Sequence, residues 1–142
     1  MQRLAEQDPK NAGWQYDLAI SHERLGDIFQ AQGDLSGALV EYRARMEIMQ
    51  RLAEQDPKNA GWQRELAVSH YKFGTIFQAQ GDLPRALVEY RAWLEIAQRL
   101  AVHDPKNVGW QRDLAGSHEH LGTIFQAQGD LLGALVEYRA GL

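Results

Sequence analysis

The chain of 142 residues is 44% hydrophobic and 24% charged with a formal net charge of −4, which is typical of a globular domain and not of a disordered chain. Lys and Arg form no cluster and Cys is absent, which argues against a dedicated nucleic-acid surface and excludes a disulfide framework and a thiolate metal site. The opening MQRLAEQDPK has no apolar core, and no apolar run approaches the ~20 residues of a membrane-spanning helix, so we expect a cytoplasmic protein without a membrane partner.

The first predicted helix follows the segment DPKN, in which Pro9 ends one helix and Asn11 caps the next. Apolar residues then recur at helical spacing up to Ala31. Gly33 suits the left-handed residue that closes a helix, and Asp34 can cap the helix that follows. A second apolar stripe continues to Asp56 and Pro57, so two helices of about 20 residues, each roughly 30 Å long, are predicted.

This helix pair recurs with a period of 48 residues. Trp14, Trp62 and Trp110 keep that interval, and residues 2–49 match residues 50–97 at 36 of 48 positions. A period of this size predicts an array of stacked units, here 2–49, 50–97 and 98–142 in a single domain 1–142. Pro84 falls in the first turn of its helix, where a missing N–H is harmless.

The unit resembles the tetratricopeptide repeat (TPR), whose pattern is Trp-x2-Leu-Gly-x2-Tyr, then Ala-x3-Phe, then Pro. The first copy reads His22-x2-Leu25-Gly26-x2-Phe29, then Ala38-x3-Tyr42, then Pro57. The family's unit has 34 residues, so each helix here is seven residues longer, which is nearly two turns and keeps its apolar side in register. The resemblance implies an all-α fold, a right-handed α-solenoid of three tandem helix-turn-helix repeats with long helices.

The resemblance also implies a non-catalytic protein–protein interaction scaffold, whose first helices line a concave groove for a peptide or protein partner. The positions that vary between the copies, together with an invariant Gln, fall at spacings of 7, 4 and 3, close to one helix face. An ordinary solvent-facing stripe that varies freely is an equally good interpretation. The residues carried over to the groove are Tyr16, Glu23, Asp27, Gln30, Arg64, Tyr71, Thr75, Gln78, Arg112, Glu119, Thr123 and Gln126.

Histidine recurs once per unit, at His22, His70 and His118, and the functional interpretation of this pattern is a metal ligand or a general base. No converging group accompanies it, so we predict a packed structural role and expect no catalytic residue, metal or cofactor. Gly26 and its copies interrupt a helix, which predicts a close helix contact with Ala38 and its copies as the facing residues. Trp93 replaces Arg45 and is expected to pack against a neighbouring helix.

A self-assembly module is the alternative function. Residues 2–8 repeat the end of a second helix, Met1 matches Met49 and Leu142 matches Met46. A second chain placed head to tail would resume the pattern with only two positions missing. A fragment of a longer array would show the same ends, so both interpretations stay open at the level of sequence.

Overall fold

The computed structural model describes residues 2–8 and 10–142, and within them every regular element is an α-helix. The roles expected of Met1 and Pro9 lie outside the described residues. The helices are α1 Gln2–Gln7, α2 Ala12–Ala31, α3 Leu35–Gln55, α4 Ala60–Ala79, α5 Leu83–His103, α6 Val108–Ala127 and α7 Leu131–Ala140. The expected all-α class is confirmed.

The helices begin and end where the capping residues predict. The Asn11 side chain accepts a hydrogen bond from the Trp14 N–H at 3.0 Å, and Asp34 accepts one from the Gly37 N–H at 2.9 Å. These bonds satisfy amide groups that the first turn of a helix leaves without a partner. Gly33 has a φ of 78°, so it is the left-handed residue between α2 and α3. The same turn recurs at Gly81 and Gly129.

The glycine inside each first helix makes room for a tyrosine ring. Gly26 is buried, and a Cβ added to it would overlap the ring of Tyr42. Tyr90 and Tyr138 lie in the same way against Gly74 and Gly122. The expected close approach is confirmed, but the nearest group is the tyrosine ring and not the alanine that the sequence suggested.

The chain divides into two compact units, one ending at Ser69 and one beginning at His70, within α4. This division does not coincide with the sequence repeats, whose boundaries stay a prediction. In the first unit, α2 packs along α3 and α1 lies against α2. Its core contains Ala19, Ile48, Met49 and Leu52, with Trp62 packed at the edge.

In the second unit, α6 packs against both α5 and α7. The residues that fill this unit are small or aliphatic side chains together with buried tyrosine and phenylalanine rings. Ile76, Tyr90, Leu121 and Ile124 are all almost completely buried. None of the helices in the described part of the chain is both long and apolar enough to cross a bilayer.

Candidate functional site

The invariant glutamines of the expected groove each accept a hydrogen bond from the tyrosine that packs on the helix glycine. Tyr42 Oη donates to Gln30 Oε1 at 3.0 Å, and the matching tyrosines donate to Gln78 at 2.8 Å and Gln126 at 3.0 Å. In the first copy Tyr42 also bonds to Asp27 Oδ1 at 2.5 Å. Gln30, Gln78, Gln126 and Asp27 are therefore held in place by bonds within the helix pair.

Glu23 belongs to a charged cluster around the buried side chain of Arg45. The guanidinium Nη2 lies 2.5 Å from Glu65 Oε2, and Nη1 donates to the Glu65 carbonyl oxygen at 2.8 Å and to Ser69 Oγ at 2.5 Å. Arg45 Nε lies 3.3 Å from Glu23 Oε1, an electrostatic contact without hydrogen-bond alignment. One buried cation is thus compensated by two carboxylates from two different helices.

Tyr71 stands one period after Glu23 and lies in an aromatic cluster instead. Its ring centroid is 5.1 Å from that of Trp93 and 5.3 Å from that of His120, both edge-on. Trp93 also contacts Tyr90 and lies against Gly116. The expected packing of Trp93 against a neighbouring helix is confirmed.

Two variable positions hold matching residues in the first two copies, whereas the third copy has Glu119 and Gly141 there, which form no such pair. In the first unit Glu23 is matched by Arg45, and in the second unit the equivalent Tyr71 is matched by Trp93. Charge meets charge in one place and aromatic meets aromatic in the other. Part of the variation that sequence reasoning assigned to a ligand has a partner inside the protein.

Tyr16 lines a concave surface in the first unit. Its ring is tilted by 46° to that of Trp62, with the centroids 5.6 Å apart. The concavity has a volume of about 330 Å³ and is also lined by Asn59, Gly61 and Glu65. Both rings are only partly buried, so each presents an aromatic surface toward the opening.

Charged side chains lie near the Tyr16 hydroxyl at the concavity. Burial, followed by the carboxylate of Glu65, raises the pKa of the Tyr16 hydroxyl above its ordinary value. Glu23 and Asp17 act in the same direction, and Arg45 alone opposes them. Glu65 is thus a carboxylate that both lines the concavity and acts on the Tyr16 hydroxyl, and its Oε2 is bound to Arg45.

The other expected groove residues lie at the surface or bond to their own helix. Arg64, Arg112 and Glu119 are exposed. The hydroxyl of Thr75 donates to the Lys72 carbonyl at 2.7 Å. Thr123 donates to the Glu119 carbonyl at 3.0 Å and lies 3.2 Å from the Tyr138 hydroxyl.

Each recurring histidine pairs with a glutamate 19 residues further along the chain. His22 Nδ1 lies 2.6 Å from Glu41 Oε2, and the equivalent distances at His70 and His118 are both 2.7 Å. These bonds join the two helices of each pair, as the predicted structural role requires. Within residues 2–8 and 10–142, no three His, Asp or Glu side chains are grouped as metal ligands.

Sequence reasoning missed Trp62 and Glu65 as part of the site. Trp62 is the same in every copy, so it is absent from the set of variable positions. Glu65 aligns with Asp17 and Asp113, so an acidic residue stands there in every copy and gives no signal of its own. A comparison of variable positions with each other, rather than along one helix, would have found the match between positions 23 and 45.

The described helices define the chain as an all-α protein. Among solved structures, the crystal structure of BtubC (BKLC) from P. vanneervenii is similar, with a TM-score of 0.76 and 21% sequence identity. The match covers 99% of this chain and 50% of that chain, so the present chain spans half the length of its neighbour. The likeness shows a shared fold. The sequence matches no family model and no curated protein.

Proposed function

We propose that the protein is a non-catalytic binding scaffold of three TPR-like repeats, a right-handed α-solenoid that holds a protein or peptide partner. The observation that carries the proposal is the concavity between Tyr16 and Trp62. Tyr16, which lines the concavity, is also one of the groove residues that the sequence predicts. The repeated sequence unit and the all-helical fold support the repeat architecture. The cytoplasmic location stays a prediction.

The chemistry of the concavity favours a basic side chain of the partner. A guanidinium or ammonium group is attracted to aromatic faces within about 6 Å of the ring centroid. Tyr16 and Trp62 offer two such faces, and Glu65 adds a carboxylate at the same place. The net charge of −4 adds a weaker, long-range attraction for a basic peptide.

A pair of peptides tests this proposal. One peptide carries arginines separated by neutral residues, and the other carries citrulline, which has the same shape without the charge. We expect the arginine peptide to shift the indole NMR signal of Trp62 in a saturable way and the citrulline peptide to leave it unchanged. Equal binding of both peptides would refute a cation site.

The variant Tyr16→Arg serves as the matched test within the protein, because Arg64 and Arg112 occupy the equivalent positions of the other copies. The repeat therefore accommodates arginine at this position. We expect the variant to keep its helix content and urea midpoint and to lose the response to the arginine peptide. Full binding by this variant would show that the concavity is not the site.

A further inference from the structure

An apolar face of α2 is far more exposed in this structure than its equivalent on α6. Leu25 and Ile28 are 46% and 55% exposed, whereas Leu121 and Ile124, two periods later, are 1% and 0% exposed. In the second unit α5 packs along α6. The same side chains are therefore buried where a preceding long helix is present.

The short helix α1 occupies only the end of that place on α2. Gln15 Nε2 donates to the Ala5 carbonyl at 3.2 Å, and the equivalent Gln111 donates to the Ala101 carbonyl at 3.1 Å. Ala5 lies in α1 and Ala101 lies in the last turns of α5. Thus α1 contacts α2 as the end of α5 contacts α6, and among residues 2–8 and 10–142 α1 corresponds only to the last turns of α5.

The helix α7 repeats the sequence of the first half of α5. Residues 131–140 match residues 83–92, the first half of α5, at eight of ten positions. Leu131 and Leu135 of α7 are 67% and 45% exposed, whereas the equivalent Leu83 and Leu87 of α5 are partly buried. The chain thus exposes both an uncovered α2 face and a copy of the helix segment that covers such a face.

We infer that a second copy of this chain covers the α2 face with its α7, a contact separate from the proposed partner concavity. In this arrangement α7 of the first copy and α1 of the second copy both lie on α2 of the second copy. They follow one another along it as the two ends of α5 follow one another along α6. The occupant follows from the packing of α5 on α6, because α7 matches the first half of α5 at eight of ten positions and α2 matches α6 at 15 of 20. The two surfaces differ from each other, so the contact is heterologous and leaves one free face on each end of a dimer.

The proposed contact between two copies lacks the arginine that joins two carboxylates in the first unit. Gly141 stands at the position of Arg45, Glu119 at that of Glu23, and Asp17 of the second copy at that of Glu65. The contact therefore brings two carboxylates together without the arginine that joins them in the first unit. It is accordingly weak, and an arginine at position 141 strengthens it.

The variant Gly141→Arg is the gain-of-function test. Gly141 has a φ of −78°, which any residue adopts, and a Cβ there would lie 3.6 Å from the Cγ of Glu119. The same Cβ would lie 3.2 Å from the Ala115 carbonyl oxygen, so Gly141→Ala is the control that has this crowding without the charge. We expect sedimentation equilibrium over a concentration series to show self-association that is about tenfold tighter for Gly141→Arg than for Gly141→Ala.

Two charge variants identify the contacting faces. Ile28→Asp on α2 and Leu135→Asp on α7 change exposed side chains, so both variants should fold, which circular dichroism and urea unfolding check. Each alone should be monomeric, and their mixture should form a complex that stops at two chains, because one intact contact remains. A wild-type chain and a Gly141→Arg chain that both stay monomeric would overturn the inference. Self-association that persists in either Asp variant alone would also overturn the inference.

Discussion

Arg45 binds the carboxylate of Glu65 with an Nη2–Oε2 distance of 2.5 Å, at the position where the next copy has Trp93. The guanidinium is buried, and Glu23 lies 3.3 Å from its Nε. In the second unit the equivalent of Glu23 is Tyr71, which packs on Trp93. Copies that match at 36 of 48 positions are therefore packed by two different kinds of contact.

Removing the charge of Arg45 should destabilise the folded protein. Arg45→Met keeps most of the buried volume and leaves Glu23 and Glu65 facing each other without their cation. We expect the free energy of unfolding to fall by about 3–5 kcal/mol, measured by urea denaturation. As a control, Arg85→Met removes an exposed arginine that pairs with Asp82, and it should change stability by less than about 1 kcal/mol. Equal effects of the two substitutions would contradict this account of the Arg45 cluster.

The glycine under the tyrosine ring should resist substitution. Alanine is favoured over glycine by about 1 kcal/mol in a helix interior, but a Cβ at Gly74 would overlap the ring of Tyr90. We expect Gly74→Ala to lower stability by about 1–3 kcal/mol, because the overpacked ring must move.

Gly109→Ala provides the matched comparison, since the nearest atom to its Cβ, Asn107 Oδ1, lies at 3.4 Å. This second substitution should be neutral or slightly stabilising in the same urea assay. If Gly74→Ala proved as stable as Gly109→Ala, the ring would not be confined as described.

Stability should fall at alkaline pH because of Tyr90. Burial, and next the neighbouring Tyr71, raise the pKa of the Tyr90 hydroxyl above its ordinary value. The folded protein thus holds this proton more tightly than the unfolded chain does. The stabilising contribution is complete below about pH 10, the unfolded pKa, and is lost as the pH rises toward the folded pKa.

Urea denaturation at several pH values between about 8 and 11 measures this loss. Tyr90→Phe removes the titrating hydroxyl together with its bond to Gln78. It should lower stability near neutral pH and flatten the alkaline decline. A decline of unchanged steepness in Tyr90→Phe would assign the pH dependence to other groups.

Local signals in the sequence predicted the helices well, because capping and chain reversal depend on neighbouring residues. Asn11, Asp34 and Gly33 act as their types and positions suggest. Helical periodicity also identified the apolar stripes, since it depends only on the spacing along one helix. It did not predict that Leu25 and Ile28 of the α2 stripe are 46% and 55% exposed.

The contacts between helices were harder to predict. Tyr42, rather than Ala38, fills the space at Gly26, because the reach of a ring across two helices does not appear in the spacing along one helix. The partner of Glu23 is 22 residues away, at Arg45, and periodicity reports only the face that each residue occupies. Trp62 entered the candidate site because tertiary packing places it beside Tyr16.

The central claim is that the differences between the first two copies are matched across the helices they join, and an exchange of contacts tests it most directly. Arg45→Trp alone should lose about 3–5 kcal/mol, because it leaves two acids without their cation. Glu23→Tyr then adds the ring that Tyr71 places against Trp93 in the second unit. Val68→Gly opens the space that Gly116 leaves for that tryptophan. We predict that the triple variant recovers about 2 kcal/mol relative to the sum of the separate changes, as urea denaturation would show. Additive effects, within about 0.5 kcal/mol, would contradict the claim.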